Sequence, residues 1–258
     1  MRKKDISLKI ENIAINGLLF LPGDDAPYPI VCICHGIPAS SPPNPNDGGY
    51  PLLAEKICRH GLAVLIFNFR GTGISGGNMD LLGWTRDLKA VIDHMSRLPE
   101  IDPSHIALLG FSGGAAVSVY VAAQDSRVSC VAACACPADF FLLIKNDEPA
   151  SYVDRYREIG AIRDDDFPHS AEEWLDGFRQ VRPVDYVEAI APRPLLLIHS
   201  DDDETVAISH AYRLYEKAGE PKKLVELSGA GHKLRHDDRV SDTFVDWFKS
   251  LLRITDSS

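Results

Sequence analysis

The hydrophobic positions of this 258-residue chain follow two different rhythms. Residues 6–11 alternate apolar with polar, Asn12 interrupts, and a second run over 13–21 resumes until Pro22-Gly23-Asp24 ends it. A period of two predicts an antiparallel strand pair with one face in water. Beyond Pro29 the apolar positions become contiguous, over 30–34, 62–69, 106–109, 128–134 and 194–199. Short uninterrupted runs of this kind predict strands buried on both faces. A further strand is expected at 223–227, which brings the total to eight. Between them, helical spacing appears at 51–60, 81–97, 115–123, 207–218 and 240–252; Leu88, Val91, Ile92 and Met95 share one face of the second. Strands alternating with helices build a mostly parallel sheet covered by helices on both faces.

That alternation lapses over 138–190. The stretch carries an acidic run, Asp164-Asp165-Asp166, and scattered aromatics: Phe140, Phe141, Tyr152, Tyr156, Trp174 and Phe178. It predicts a small helical cap inserted over the carboxyl edge of the sheet. The chain then divides into a core of 1–137 and 191–258 and a cap of 138–190. The plainer alternative is a pair of surface helices with no part in substrate choice. The aromatics hint at an apolar or aromatic acyl or alcohol group. A Pro-, Ser- and Asn-rich loop is expected at 39–49, and a frayed tail at 255–258.

Composition narrows the classes of function. With 45% hydrophobic and 25% charged residues, the chain can bury a large globular core. Its net charge of −10, without any basic stripe, speaks against nucleic acid and anionic membrane as partners. No apolar run approaches a membrane span. The basic residues of Met1-Arg-Lys-Lys-Asp-Ile have no apolar segment behind them, so no signal peptide is expected. Five of the six cysteines (32, 34, 58, 130, 134 and 136) fall inside apolar runs, and none shows C-x-x-C spacing. Buried free thiols in a reducing, cytoplasmic setting are the expectation, with no metal site and no cofactor.

Chemistry enters at 106–116, Ile-Ala-Leu-Leu-Gly-Phe-Ser-Gly-Gly-Ala-Ala. Four apolar residues run into Gly110-Phe111-Ser112-Gly113-Gly114, and small residues follow at once. The G-x-S-x-G pattern places Ser112 on a sharp strand-to-helix elbow, with Oγ projecting above the sheet. The bland alternative is a serine that only caps the following helix. A serine hydroxyl needs a base to take its proton, and the base needs an orienting acid. Ligands of open α/β sheets sit at the carboxyl ends of the strands. Two loops at such ends supply candidates: Ser200-Asp201-Asp202-Asp203-Glu204-Thr205-Val206 and Ser228-Gly229-Ala230-Gly231-His232. The chain order Ser, Asp, His fits a G-x-S-x-G hydrolase. His232 is the expected base and His236 the runner-up, while three adjacent aspartates compete as the acid. The N–H of Gly113 is one donor to a developing oxyanion, and the loop after 30–34 must supply the second.

On these residues the sequence resembles an α/β-hydrolase over nearly its whole length. It is similar to dienelactone-hydrolase-like, feruloyl-esterase-like and prolyl-oligopeptidase-like catalytic domains. Three further segments carry the resemblance: His35-Gly36-Ile37-Pro38, Asn68-Phe-Arg-Gly-Thr-Gly-Ile-Ser75 and His199–Val206. In such families the last commonly reads H-G-x-x-D-x-x-V-P, which implies Asp203 as the acid, with Asp201 and Asp202 still open. Ser200 stands where glycine is usual and Ala207 where proline is usual, departures expected to loosen the loop. The resemblance also implies Ile37 N–H as the second oxyanion donor; Pro38 has no N–H to give. It implies that His35 shapes that loop without moving protons. Arg70-Gly-Thr-Gly resembles a phosphate cradle, yet the families use it as a structural loop.

The expected activity is carboxylic-ester hydrolysis through an acyl-enzyme, with Ser112, His232 and Asp203 as the triad and a small-molecule ester as partner. Amide, thioester or acyl-peptide cleavage would use the same machinery, as would acyl transfer to an alcohol. The chain shows no propeller domain that would gate a peptidase site. A binding protein on a degraded hydrolase scaffold is the non-enzymatic alternative. A homodimer is left open.

Overall fold

The computed structural model describes residues 1–38, 49–143 and 148–252. Its first two strands, β1 (Arg2–Ile10) and β2 (Ile13–Leu21), pair antiparallel in the register Ile10↔Ile13. Two residues remain for the turn, and Glu11 and Asn12 adopt φ of 51° and 67°. A two-residue turn with both φ positive matches the right-handed twist of the strands it joins. The buried strands follow as β3 (Tyr28–Cys34), β4 (Ala63–Phe67), β5 (Ile101–Phe111), β6 (Val128–Cys134), β7 (Leu195–Ser200) and β8 (Lys222–Leu227). They form one eight-stranded sheet in the order β1-β2-β4-β3-β5-β6-β7-β8. Every pairing from β4 to β8 is parallel.

Helices cover both faces. On one side α2 (Leu81–Met95) and α3 (Gly113–Ala122) bury Trp84, Leu88, Val91, Val117 and Val119 against the sheet. On the other, α1 (Gly49–Cys58) and α7 (Asp238–Leu252) bury Leu53, Ile57, Phe244 and Phe248. Between β6 and β7 lie α4 (Pro149–Glu158) and α5 (Ala171–Gln180), and α6 (Ser209–Lys217) precedes β8. Among the described residues no helix is long and apolar enough to cross a membrane. All six cysteines are free and buried.

Two expectations need correcting. The elbow strand is longer than its apolar run, since β5 reaches back through Asp102-Pro103-Ser104-His105 to pair Ile101 with Tyr28. A proline argues against a strand interior, but a register shift between Tyr28 and Ile30 absorbs it. Three of the six aromatics between β6 and β7 belong to the core and not to an apolar surface, while Phe141, Tyr152 and Tyr156 stay half-buried. Phe140, Trp174 and Phe178 are at most 5% exposed, and Phe178 packs edge-on against Phe140 at 5.3 Å and Trp174 at 5.1 Å. Trp174 Nε1–H also donates to the Met79 carbonyl at 2.9 Å, which ties α5 to the loop before α2. The loop expected at 39–49 and the tail at 255–258 fall outside the described residues, apart from Gly49, which begins α1.

A polar knot fixes α2 to that same loop. Arg70, 5% exposed, donates from Nε and Nη2 to Asp87, which is fully buried, at 2.7–3.2 Å. The Arg70 backbone N–H donates to the same carboxylate at 2.9 Å, and Trp84 Nε1–H to the Arg70 carbonyl at 3.0 Å. Glu11 takes Nη1 at 2.8 Å. The guanidinium of Arg70-Gly-Thr-Gly thus faces protein carboxylates, as a structural loop requires. Removing one partner of a buried ion pair strands the other charge. Asp87→Ala is therefore expected to lower stability by about 3 kcal/mol, measured by urea denaturation against wild type.

Candidate active site

Ser112 follows β5 directly and precedes α3, so a single residue makes the turn. Its backbone sits at φ 50°, ψ −121°, a region that L side chains rarely adopt. The glycines on either side make this turn possible. A Cβ on Gly110 would stand 2.5 Å from Ala115 Cα, and one on Gly114 2.2 Å from the His35 carbonyl oxygen. The Ser112 N–H donates to the Cys134 carbonyl at 2.9 Å, which locks the elbow to the end of β6.

The candidate acid and base arrive from neighbouring strands on the same edge. Asp203 lies three residues past β7 and His232 five past β8. His232 Nε2 is 3.1 Å from Ser112 Oγ, and its Nδ1 lies 2.8 Å from Asp203 Oδ2 and 3.0 Å from Oδ1. A carboxylate only accepts, so Nδ1 carries the proton and Nε2 is left to accept from the serine hydroxyl. Asp203 Oδ1 also takes the N–H groups of Thr205 at 2.9 Å and Val206 at 2.8 Å. Burial alone would raise the pKa of Asp203. Hydrogen bonds from His199, His232 and the Val206 N–H outweigh it and hold the carboxyl well below its usual range. His232 is 18% exposed on its side chain and Asp203 not at all, so the imidazole faces the opening and the carboxylate is sealed behind it.

The other candidates stand elsewhere. Asp201 Oδ1 and Asp202 Oδ1 accept from Gly229 and Gly231 N–H, and neither aspartate joins the His232 ring. His236 is exposed beside Lys56 and Asp238 at a shallow surface cleft. Asp164 accepts from Asn78 Nδ2–H at 2.8 Å. Ser200 departs from the expectation of a loosened loop: its Oγ is bonded to both strand-end loops.

The loop after β3 closes over the elbow. Ile37 packs so near Gly113 that a Cβ there would meet Ile37 Cγ1 at 2.7 Å and Ile37 N at 3.5 Å. His35 Nδ1–H donates to the Gly36 carbonyl at 2.8 Å, while Nε2 accepts the Phe69 N–H at 3.1 Å. Both ring nitrogens are thereby committed in the neutral form. The ring lies edge-on to Phe69 and Trp84. Burial pushes its pKa down to about 4. Two neighbours escaped the sequence. Tyr50, at the start of α1, accepts the Gly36 N–H on its hydroxyl at 3.2 Å. His199 Nε2–H donates to the Val206 carbonyl at 2.7 Å and lies 3.4 Å from Asp203 Oδ2. His199 opens the motif that carries the aspartates, but its residue type alone gives no role, and Tyr50 carries no local signal.

The family described as the prolyl oligopeptidase family matches residues 53–255. An uncharacterised protein of Mycobacterium tuberculosis is 28% identical over 225 residues, covering 86% of this chain and 69% of that protein. The human acylamino-acid-releasing enzyme is 25% identical over 269 residues, which is 94% of this chain but 35% of the human one. The esterase domain of a Rhodothermus marinus protein superposes with a TM-score of 0.72 at 24% identity, covering 97% of this chain and 99% of that domain. The sheet and its helices have the α/β-hydrolase fold.

Two outcomes follow from the strained serine and the buried imidazole. Ser112→Gly relieves a backbone that L residues disfavour, and is expected to raise stability by about 1 kcal/mol in chemical denaturation. His35 ionises near pH 6.5 when unfolded but near 4 when folded. Acid therefore protonates the unfolded state first, and stability falls as pH drops from about 6.5 to about 4. The loss is on the order of 3 kcal/mol and is flattened in His35→Gln. Asp203, whose carboxyl is held low, contributes its own loss only as pH falls through and below about 4, the ordinary carboxylate pKa. Urea midpoints measured from pH 7 to 4 therefore report His35, and those from pH 4 to 2 add Asp203.

Proposed function

The chain belongs to the prolyl oligopeptidase family, a serine hydrolase of the α/β-hydrolase fold, and we propose that it cleaves carboxylic esters through an acyl-enzyme on Ser112. One observation carries this reading: the unbroken line from Ser112 Oγ through His232 to a buried, ionised Asp203. In this scheme Oγ attacks the ester carbonyl as its proton passes to His232 Nε2. Asp203 stays ionised and stabilises the imidazolium that forms. The oxyanion is received by the N–H groups of Gly113 and Ile37, each worth ~3 kcal/mol of barrier, at the positive end of α3. The carbon–oxygen bond to the alcohol then breaks, and Nε2 returns the proton to the departing oxygen. Water repeats the sequence on the acyl-enzyme, giving its proton to Nε2, from which Oγ recovers it.

An ester is preferred because an alcohol leaves more readily than an amine, which must be protonated before the bond can break. The esterase domain matched along its whole length supports the same choice. Likeness to the human acylamino-acid-releasing enzyme favours acyl-peptides as the second reading. A p-nitrophenyl ester series of rising chain length, run beside an N-acetyl amino-acid p-nitroanilide, tests both. Wild type is expected to prefer the ester, and Ser112→Ala to lose roughly a thousandfold or more in kcat. An anilide rate equal to the best ester would move the substrate class to acyl-peptides. No turnover of either, together with no labelling of Ser112 by a fluorophosphonate, would remove the hydrolase chemistry.

A further inference from the structure

His232 hangs on a loop that has little stiffness of its own. Gly229 and Gly231 take φ of 72° and 60°, and a Cβ on Gly229 would meet nothing within 4 Å. Such a segment does not by itself hold an imidazole to within a few tenths of an ångström. Three consecutive N–H groups of it are nevertheless fixed, each by a side chain from the end of β7 or the loop after it. Gly229 N–H donates to Asp201 Oδ1 at 3.3 Å, Ala230 N–H to Ser200 Oγ at 3.0 Å and Gly231 N–H to Asp202 Oδ1 at 2.9 Å. Ser200 Oγ–H donates in turn to Asp202 Oδ1 at 2.5 Å, with the Leu227 carbonyl 3.2 Å away. Ser200 is wholly buried, whereas Asp202 lies at the surface.

The two loops joined in this way are the ones that carry Asp203 and His232. We propose that Ser200 and Asp202 are positioning residues, a clamp that sets the His232 ring against Asp203 and Ser112. The proposal deepens the hydrolase reading and rests on His232 being the base. Ser200 is what distinguishes this chain, because the resembling families commonly place glycine there. A glycine would leave Ala230 N–H without this acceptor and Asp202 without its buried donor. The clamp touches neither substrate nor the reacting atoms, so its effect must appear in the rate of chemistry.

Asp202→Ala removes one acceptor from an exposed position and leaves the core intact. Ser200→Ala removes the buried hydroxyl; should it fail to fold, Asp202→Ala carries the test alone. Each variant is compared with wild type on p-nitrophenyl acetate, in fluorophosphonate labelling of Ser112, and by ¹H NMR of the downfield His232 Nδ1–H resonance. Both are expected to lower kcat about tenfold with KM unchanged, to slow labelling in proportion and to broaden that resonance. Asp202→Asn keeps the acceptor oxygen and is expected to recover kcat to within about threefold of wild type. The double variant is expected to lose less than the product of the two single losses, because the residues act through one hydrogen-bonded unit. Alanine variants that keep wild-type kcat and a sharp resonance while only their Tm falls would overturn the clamp and leave the triad standing. A Ser112→Ala enzyme as active as wild type would overturn the triad, and the clamp with it.

Discussion

A helix can leave a strand through a single residue only where the two backbones meet with nothing larger than hydrogen between them. Here the meeting point is Gly114, whose Cα faces the Cys34 and His35 carbonyls so closely that any side chain would overlap them. Because α3 comes that near to β3, the loop after β3 passes directly over the start of the helix. Ile37 and Gly113 are thereby brought side by side, with the helix dipole behind them. The same contact holds Ser112 at a φ of 50°, with the Cys134 carbonyl fixing its N–H. A strained residue persists only where its surroundings over-determine it. The elbow, the loop after β3 and Ser112 therefore form one geometric unit.

Behind that unit lies a polar interior in which His35, Arg70 and Asp87 are all paired. His35 anchors the loop by giving its proton to Gly36 and accepting from Phe69. Phe69 stacks on Trp84 at 4.5 Å, and Trp84 reaches the backbone of Arg70, which Asp87 holds. The path runs from the loop after β3 through aromatic rings to a buried ion pair. Buried polar groups are costly unless paired, so this chain of contacts has essentially one satisfactory arrangement.

Asp203 and His232 depend on a different kind of order. Asp203 is sealed by backbone N–H groups and by two histidines, and its charge survives burial because those donors outweigh the lost water. His232 is set on a glycine loop and takes its orientation from the neighbouring loop. Three adjacent aspartates with identical side chains thus have different places: one faces the imidazole, and two hold the backbone that carries it.

Much of this was legible in the sequence because its signals are local. Contiguous apolar runs mark buried strands, and G-x-S-x-G marks a turn that only glycine permits, so the sheet and Ser112 could be read without coordinates. The limits of β5 could not, because Pro103 argues against a strand and only its pairing with Tyr28 overrules that. The aromatics between β6 and β7 read equally well as pocket or core, since exposure is a property of packing. Among three adjacent aspartates the family motif pointed to Asp203 without closing the choice, and that Ser200 ties its loop instead of loosening it was decided by tertiary structure alone. Hydrogen bonds between residues about 30 positions apart in the chain leave no periodicity in the sequence; they exist only once β7 and β8 lie side by side.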